Sequence, residues 1–154
     1  MDAITLLKTD HDRVKKMLEE GESTTERGVK TRTELLATLK REMMIHERIE
    51  EEIFYPALKA HPKARDIVLE GYEEHHVVDE ILSELEATDV GSETWGAKFS
   101  VMKENIEHHI EEEEGEMFPQ ARQVFDRQEL VDLGARMLER KRSAGMELGI
   151  PFSG

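Results

Sequence analysis

Apolar residues recur along this chain in alternating steps of three and four, the spacing of one face of an α-helix. No stretch alternates with the two-residue period of a strand. Ile4, Leu7, His11, Val14 and Leu18 mark a first helix that Asp2 caps and Gly21 ends. Beyond the polar linker from Gly21 to Thr25, Leu36, Leu39, Met43, His46, Glu50 and Ile53 mark a second, with Pro56 ending or kinking it. His61 and Pro62 open a third, whose stripe is Val68, Gly71, His75, Val78, Leu82 and Leu85. A connection from Ala87 to Ser92 leads to a fourth, carrying Trp95, Phe99, Met102, Ile106, His109, Glu113 and Met117. A shorter fifth helix with Leu130, Leu133 and Met137 starts at the capping-box-like pair Asp126 and Glu129 and is expected to pack outside the others. The tail from Ser143 to Gly154 is expected to be poorly ordered.

Long helices with short connections predict an all-α fold: an up-down-up-down four-helix bundle over residues 1–125, with an additional short C-terminal helix and tail, 126–154, packed on the same domain. A chain of 154 residues is long enough to bury one full core.

Each of the four stripes passes through a group foreign to a core. One histidine alone is ordinarily a satisfied core residue, and a run such as Glu111 to Glu114 is ordinarily a solvated face. Here the coincidence is repeated. The chain resembles itself at an offset of 63 or 64 residues: His46, Glu50, Glu51, Tyr55 and Pro56 match His109, Glu113, Glu114, Phe118 and Pro119. Asp10, His11, Val14 and Leu18 match Glu74, His75, Val78 and Leu82. Two helical hairpins thus carry the same pattern, and closing them on each other gives a pseudo-two-fold site with six inward donors: His11, His46, Glu50, His75, His109 and Glu113. A buried carboxylate costs several kcal/mol unless it is paired or bound to a cation.

Composition narrows what fills such a site. There is no cysteine, which removes thiolate ligands and disulfides. Four imidazoles and two carboxylates suit iron, manganese or zinc, whereas magnesium and calcium prefer oxygen alone. Two carboxylates leave a pair of divalent ions net positive, so an oxo or hydroxo bridge is expected, with open positions for small molecules. The net charge of -14 argues against nucleic acid and anionic membranes as partners. No run approaches the roughly 20 apolar residues of a membrane span, and the expected location is the cytoplasm. His61, His76 and His108 fall off the stripes and are read as surface or outer groups. Tyr55 and Phe118 are read as core caps, with a place beside the ligands as the alternative for Tyr55.

The segments DH at Asp10 and His11, HERIEEEIFYPAL from His46, EEHH ending at His76 and HHIEEEEGEMFP from His108 together resemble the hemerythrin-like, or HHE cation-binding, family over about residues 2–123. The resemblance implies a non-haem di-iron centre held by the same six residues. It departs from the oxygen-carrying members at Asp79, where they have a further histidine, and at His109–Glu113, where they have His-x4-Asp. Asp79, one turn after His75, is a seventh candidate ligand, with an acceptor for an imidazole N–H or plain surface as the alternatives. Losing an imidazole opens both ions to water, so redox chemistry on dioxygen or hydrogen peroxide, catalase-like or peroxide-responsive, is expected in place of oxygen carriage. The alternative is an iron- or oxygen-sensing module without turnover. The sequence leaves the oligomeric state open.

Overall fold

A computed structural model describes residues 1–148, and every regular element among them is helical. Helix α1 (Ala3–Glu22) pairs with α2 (Val29–Ile49), and α4 (Arg65–Glu86) pairs with α5 (Glu93–Glu112). Two short helices, α3 (Tyr55–Lys59) and α6 (Phe118–Val124), continue α2 and α5 past an irregular turn, and α7 (Arg127–Glu147) closes the chain. The starts follow local chemistry. The Asp2 carboxylate accepts the Thr5 N–H at 2.8 Å, Ser92 caps α5 at Trp95, and Asp126 and Glu129 cap each other's backbone reciprocally.

Three expectations change. Gly21 does not end α1, which runs on to Glu22. A Cβ at Gly21 would sit 2.1 Å from the Phe99 ring, so the glycine is there for close approach, not for a turn. The C-terminal helix is as long as its neighbours and does not stop at Ser143. Its buried face runs Leu130, Leu133, Met137, Lys141 and Ala144, and it packs on α1 and α2 as part of the core. Residues 149–154 of the expected tail lie outside the described residues.

The third change concerns the two prolines. Glu50–Phe54 and Glu113–Met117 form π-type turns, in which the Tyr55 N–H bonds to the Glu50 carbonyl and the Phe118 N–H to the Glu113 carbonyl, five residues back. Pro56 and Pro119 lack an N–H, and their rings would clash with a carbonyl four residues earlier in a regular helix, so the turn widens instead of breaking. The wider turn brings Tyr55 and Phe118 onto the inward face above Glu50 and Glu113.

Apolar side chains form two clusters. One gathers Ile4, Leu7, Phe54, Tyr55, Phe118 and Met137, the other Val14, Leu39, Leu82, Phe99 and Ile106. His11, His46, Glu50, His75, His109 and Glu113 are buried between them as a polar layer.

Candidate metal centre

The structure brings all six sequence-predicted donors together, none more than 4% exposed. Each carboxylate spans two imidazoles. Glu50 Oε1 lies 3.2 Å from His46 Nε2 and 2.9 Å from His75 Nε2. Glu113 places Oε1 3.0 Å from His11 Nε2 and Oε2 3.3 Å from His109 Nε2. The donors fall into two groups that share Glu113, one with His11 and His46, the other with Glu50, His75 and His109, with the donor atoms of each group within 4.8 Å of one another.

On the outer side, every Nδ1 meets a carboxylate. Asp10 Oδ2 holds His46 at 3.0 Å and Glu74 Oε1 holds His109 at 2.6 Å, each acid preceding a histidine of the same hairpin. Glu51 Oε2 holds His75 and Glu114 Oε2 holds His11, both at 2.7 Å, each acid following a donor glutamate of the opposite hairpin. The repeat therefore duplicates the outer acids as well as the donors. Asp10, Glu51, Glu74 and Glu114 were not assigned roles by their stripes, because they lie one residue off them. The paired positions Asp10/Glu74 and Glu51/Glu114 in the repeat were the available signal.

The inward imidazoles and carboxylates also pair with one another. Burial pushes His46 down, but Glu50 and the Asp10 bond outweigh it and raise its pKa well above the ordinary value. His75 is raised to about 9 against burial by its bonds to Glu50 and Glu51, and His109 is raised by Glu113. Burial opposes ionisation of Glu113, yet His109, Glu50 and His11 hold its carboxyl well below the usual range. The pairing is incomplete. His46 Nε2, His109 Nε2 and Glu50 Oε2 are enclosed without a hydrogen bond, even though His46 Nε2 is near Glu50, because the geometry there is poor. Inward lone-pair atoms left unpaired by protein are what a metal ion would take up.

The two halves differ in three ways. The Tyr55 hydroxyl donates to Glu113 Oε2 at 2.5 Å and lies 3.3 Å from His75 Nε2, whereas its repeat partner Phe118 stacks on His11. Gly71 makes room for Tyr55: a Cβ there would be 2.8 Å from the hydroxyl oxygen. Lys141 of α7 donates to Asp10 Oδ1 at 2.7 Å, with Arg13 on the same oxygen, so the C-terminal helix reaches the imidazole of His46 through one acid. Burial raises the Asp10 carboxyl, but His46 and Lys141 hold it well below the ordinary range. Finally, Asp79 joins neither donor group. It is exposed on α4 and faces Glu47 of α2. His76 and His108 are exposed, at 68% and 65%, and His61 packs edge-on against Phe125.

A helical bundle with a buried layer of four histidines and two glutamates, each carboxylate spanning two imidazoles, has the layout of a helical protein able to hold metal ions. The hemerythrin HHE cation-binding domain model matches residues 2–121, and the chain belongs to that family. A similar solved structure is that of a hemerythrin HHE cation-binding domain-containing protein from Mycobacterium kansasii, 29% identical, with a TM-score of 0.84 over 97% of this chain and 91% of that one. No curated protein matches. Among the described residues no helix is long and apolar enough to cross a membrane.

Proposed function

We propose that His11, His46, Glu50, His75, His109 and Glu113 hold two iron ions, and that the protein reacts with hydrogen peroxide or dioxygen by redox turnover. The observation that carries this is the double-sided use of each imidazole: Nδ1 is anchored to an outer carboxylate while Nε2 is aimed inward at a shared glutamate. An anchored Nδ1–H fixes the ring orientation and leaves the Nε2 lone pair for a metal. The same donors accept manganese or zinc. Two iron ions, when bound, supply the electron transfers that peroxide and dioxygen require.

The chain's own contribution is positional and protic. Glu50 and Glu113 each serve both halves. Burial, with Glu113 and Glu50 beside it, raises the Tyr55 hydroxyl well above its ordinary pKa, so it keeps its proton and remains a donor into the site. The apolar clusters on either side keep bulk water out of the layer. The test is iron-loaded protein mixed with hydrogen peroxide: oxygen evolution and a change in the visible spectrum are expected, and the absence of both would overturn the redox reading.

A sensing module is the second reading, because the donors come from four helices and metal loss removes a tie among them. Anaerobic melting with and without ferrous iron separates the two: a shift of only a few degrees favours turnover, and collapse of the fold without iron favours sensing.

A further inference from the structure

Outside the polar layer, α2 and α4 form a cleft of about 500 Å³ whose wall carries Glu47, Glu51, Asp79 and Glu86. The cations on that wall are already paired: Lys40 with Glu86 of the same wall at 2.8 Å and Arg48 with Glu147 of α7 at 2.9 Å. Glu47 is the unusual member. It is only 6% exposed, and its Oε2 is enclosed without a hydrogen-bond partner. A buried carboxylate oxygen with no donor is rare enough to need a cause. Its polar neighbours are two acids and one imidazole. Asp79 lies within hydrogen-bonding reach, and Glu51 and His75 offer donor atoms within 4.8 Å.

The repeat shows that the bundle does not require this acidity. Glu47 corresponds to Ile110, which is 3% exposed, and Asp79 corresponds to Lys15. In the other half the same packing position is filled by an apolar side chain and the surface position by a base. Glu51, in contrast, has its counterpart in Glu114, because both serve the histidines.

We propose that Glu47, Glu51 and Asp79 form a third divalent-cation site, at the outer edge of the polar layer on the side of His75. The enclosed Glu47 oxygen faces the ion from the inner wall, Asp79 closes on it from the exposed rim, and Glu51 shares one carboxylate between the ion and the Nδ1–H of His75. His75 stays a hydrogen-bond donor to Glu51 and does not ligate this ion. Three carboxylates with open access for water suit a hard, hydrated divalent ion such as manganese(II). The site does not depend on the paired-iron reading, because none of its three acids is among the six inward donors.

The test is equilibrium dialysis of the metal-free full chain against manganese(II), with elemental analysis, for the wild type, Glu47→Gln, Asp79→Asn and the double variant Glu50→Gln with Glu113→Gln. Glu47→Gln and Asp79→Asn are each expected to bind one equivalent fewer than the wild type, or to hold it at least tenfold more weakly. The inner double variant is expected to retain that equivalent. Asp79→Asn changes an exposed side chain, so its result does not depend on refolding a buried position. Manganese binding unchanged by both outer substitutions would overturn the site, with Glu47 and Asp79 then sharing a proton. If the inner variant lost no equivalent while the outer ones did, the paired centre would fail and the third site would stand.

Discussion

Substituting Tyr55 by phenylalanine removes one hydroxyl from beside Glu113 and converts one half of the layer to the chemistry of the other, where Phe118 already stands. The variant is expected to fold, and to lose about 1.5–3 kcal/mol, the ordinary worth of a buried hydrogen bond to a charged group, in urea unfolding of the metal-free protein. Gly71→Ala is expected to cost about 1–3 kcal/mol in the same measurement, because its Cβ meets both the oxygen and the ring of Tyr55 and a tightly packed ring cannot step aside. An alanine variant as stable as the wild type would show that Tyr55 has another resting place. At this scale the six inward donors were legible because each falls on an apolar stripe. The acids that orient them were not, since a glutamate one residue off a stripe reads as solvated surface. Asp79 was legible only as a departure from the family pattern, and the structure puts it against Glu47 instead of among the donors.

Two elements position the site in ways that hydrophobic spacing does not reveal. A stripe read at regular α spacing assigns Tyr55 and Phe118 to the end of the bundle, but the π-type turns ahead of Pro56 and Pro119 carry both rings inward. Proline signals a break, and which break forms depends on packing around it. Helix α7 is longer than the stripe Leu130, Leu133 and Met137 predicts, because its buried face continues through Lys141 and Ala144. The Lys141 ammonium is tolerated on that face because the Asp10 carboxylate accepts its hydrogen bond. Lys141→Met is expected to lower stability by about 1–3 kcal/mol, measured by denaturant midpoint, because the 2%-exposed Asp10 then keeps only Arg13 and His46 as partners. A stability equal to that of the wild type would mean that α7 adds only apolar packing.

For the molecule as a whole, metal-free and metal-loaded protein are expected to depend on pH in opposite directions. Without metal, His75 is raised to about 9, so its ion pairs stabilise the fold fully below the unfolded value of 6.5 and are lost as pH rises through about 9. The lowered Glu113 contributes above 4.5 and is lost as pH falls further below that value. Metal binding requires neutral imidazoles, so affinity rises over the same interval from 6.5 to 9 in which the metal-free fold weakens. Melting temperatures recorded with chelator and with ferrous iron are therefore expected to diverge as pH increases, and parallel curves would mean that these histidines do not exchange protons for metal. The bundle, the repeat and the family were all legible in the sequence, because duplicated stripes set the topology and the inward donors together. What was hidden is the network outside the layer, half of which forms only when the two hairpins close on each other. The most direct measurement is anomalous-difference crystallography of the iron-loaded protein. The expected result is two iron peaks within the layer, one against His11 and His46 and one against His75 and His109, both adjoining the shared glutamates. A layer without iron, or a single peak that leaves one histidine pair unligated, would contradict a paired metal centre.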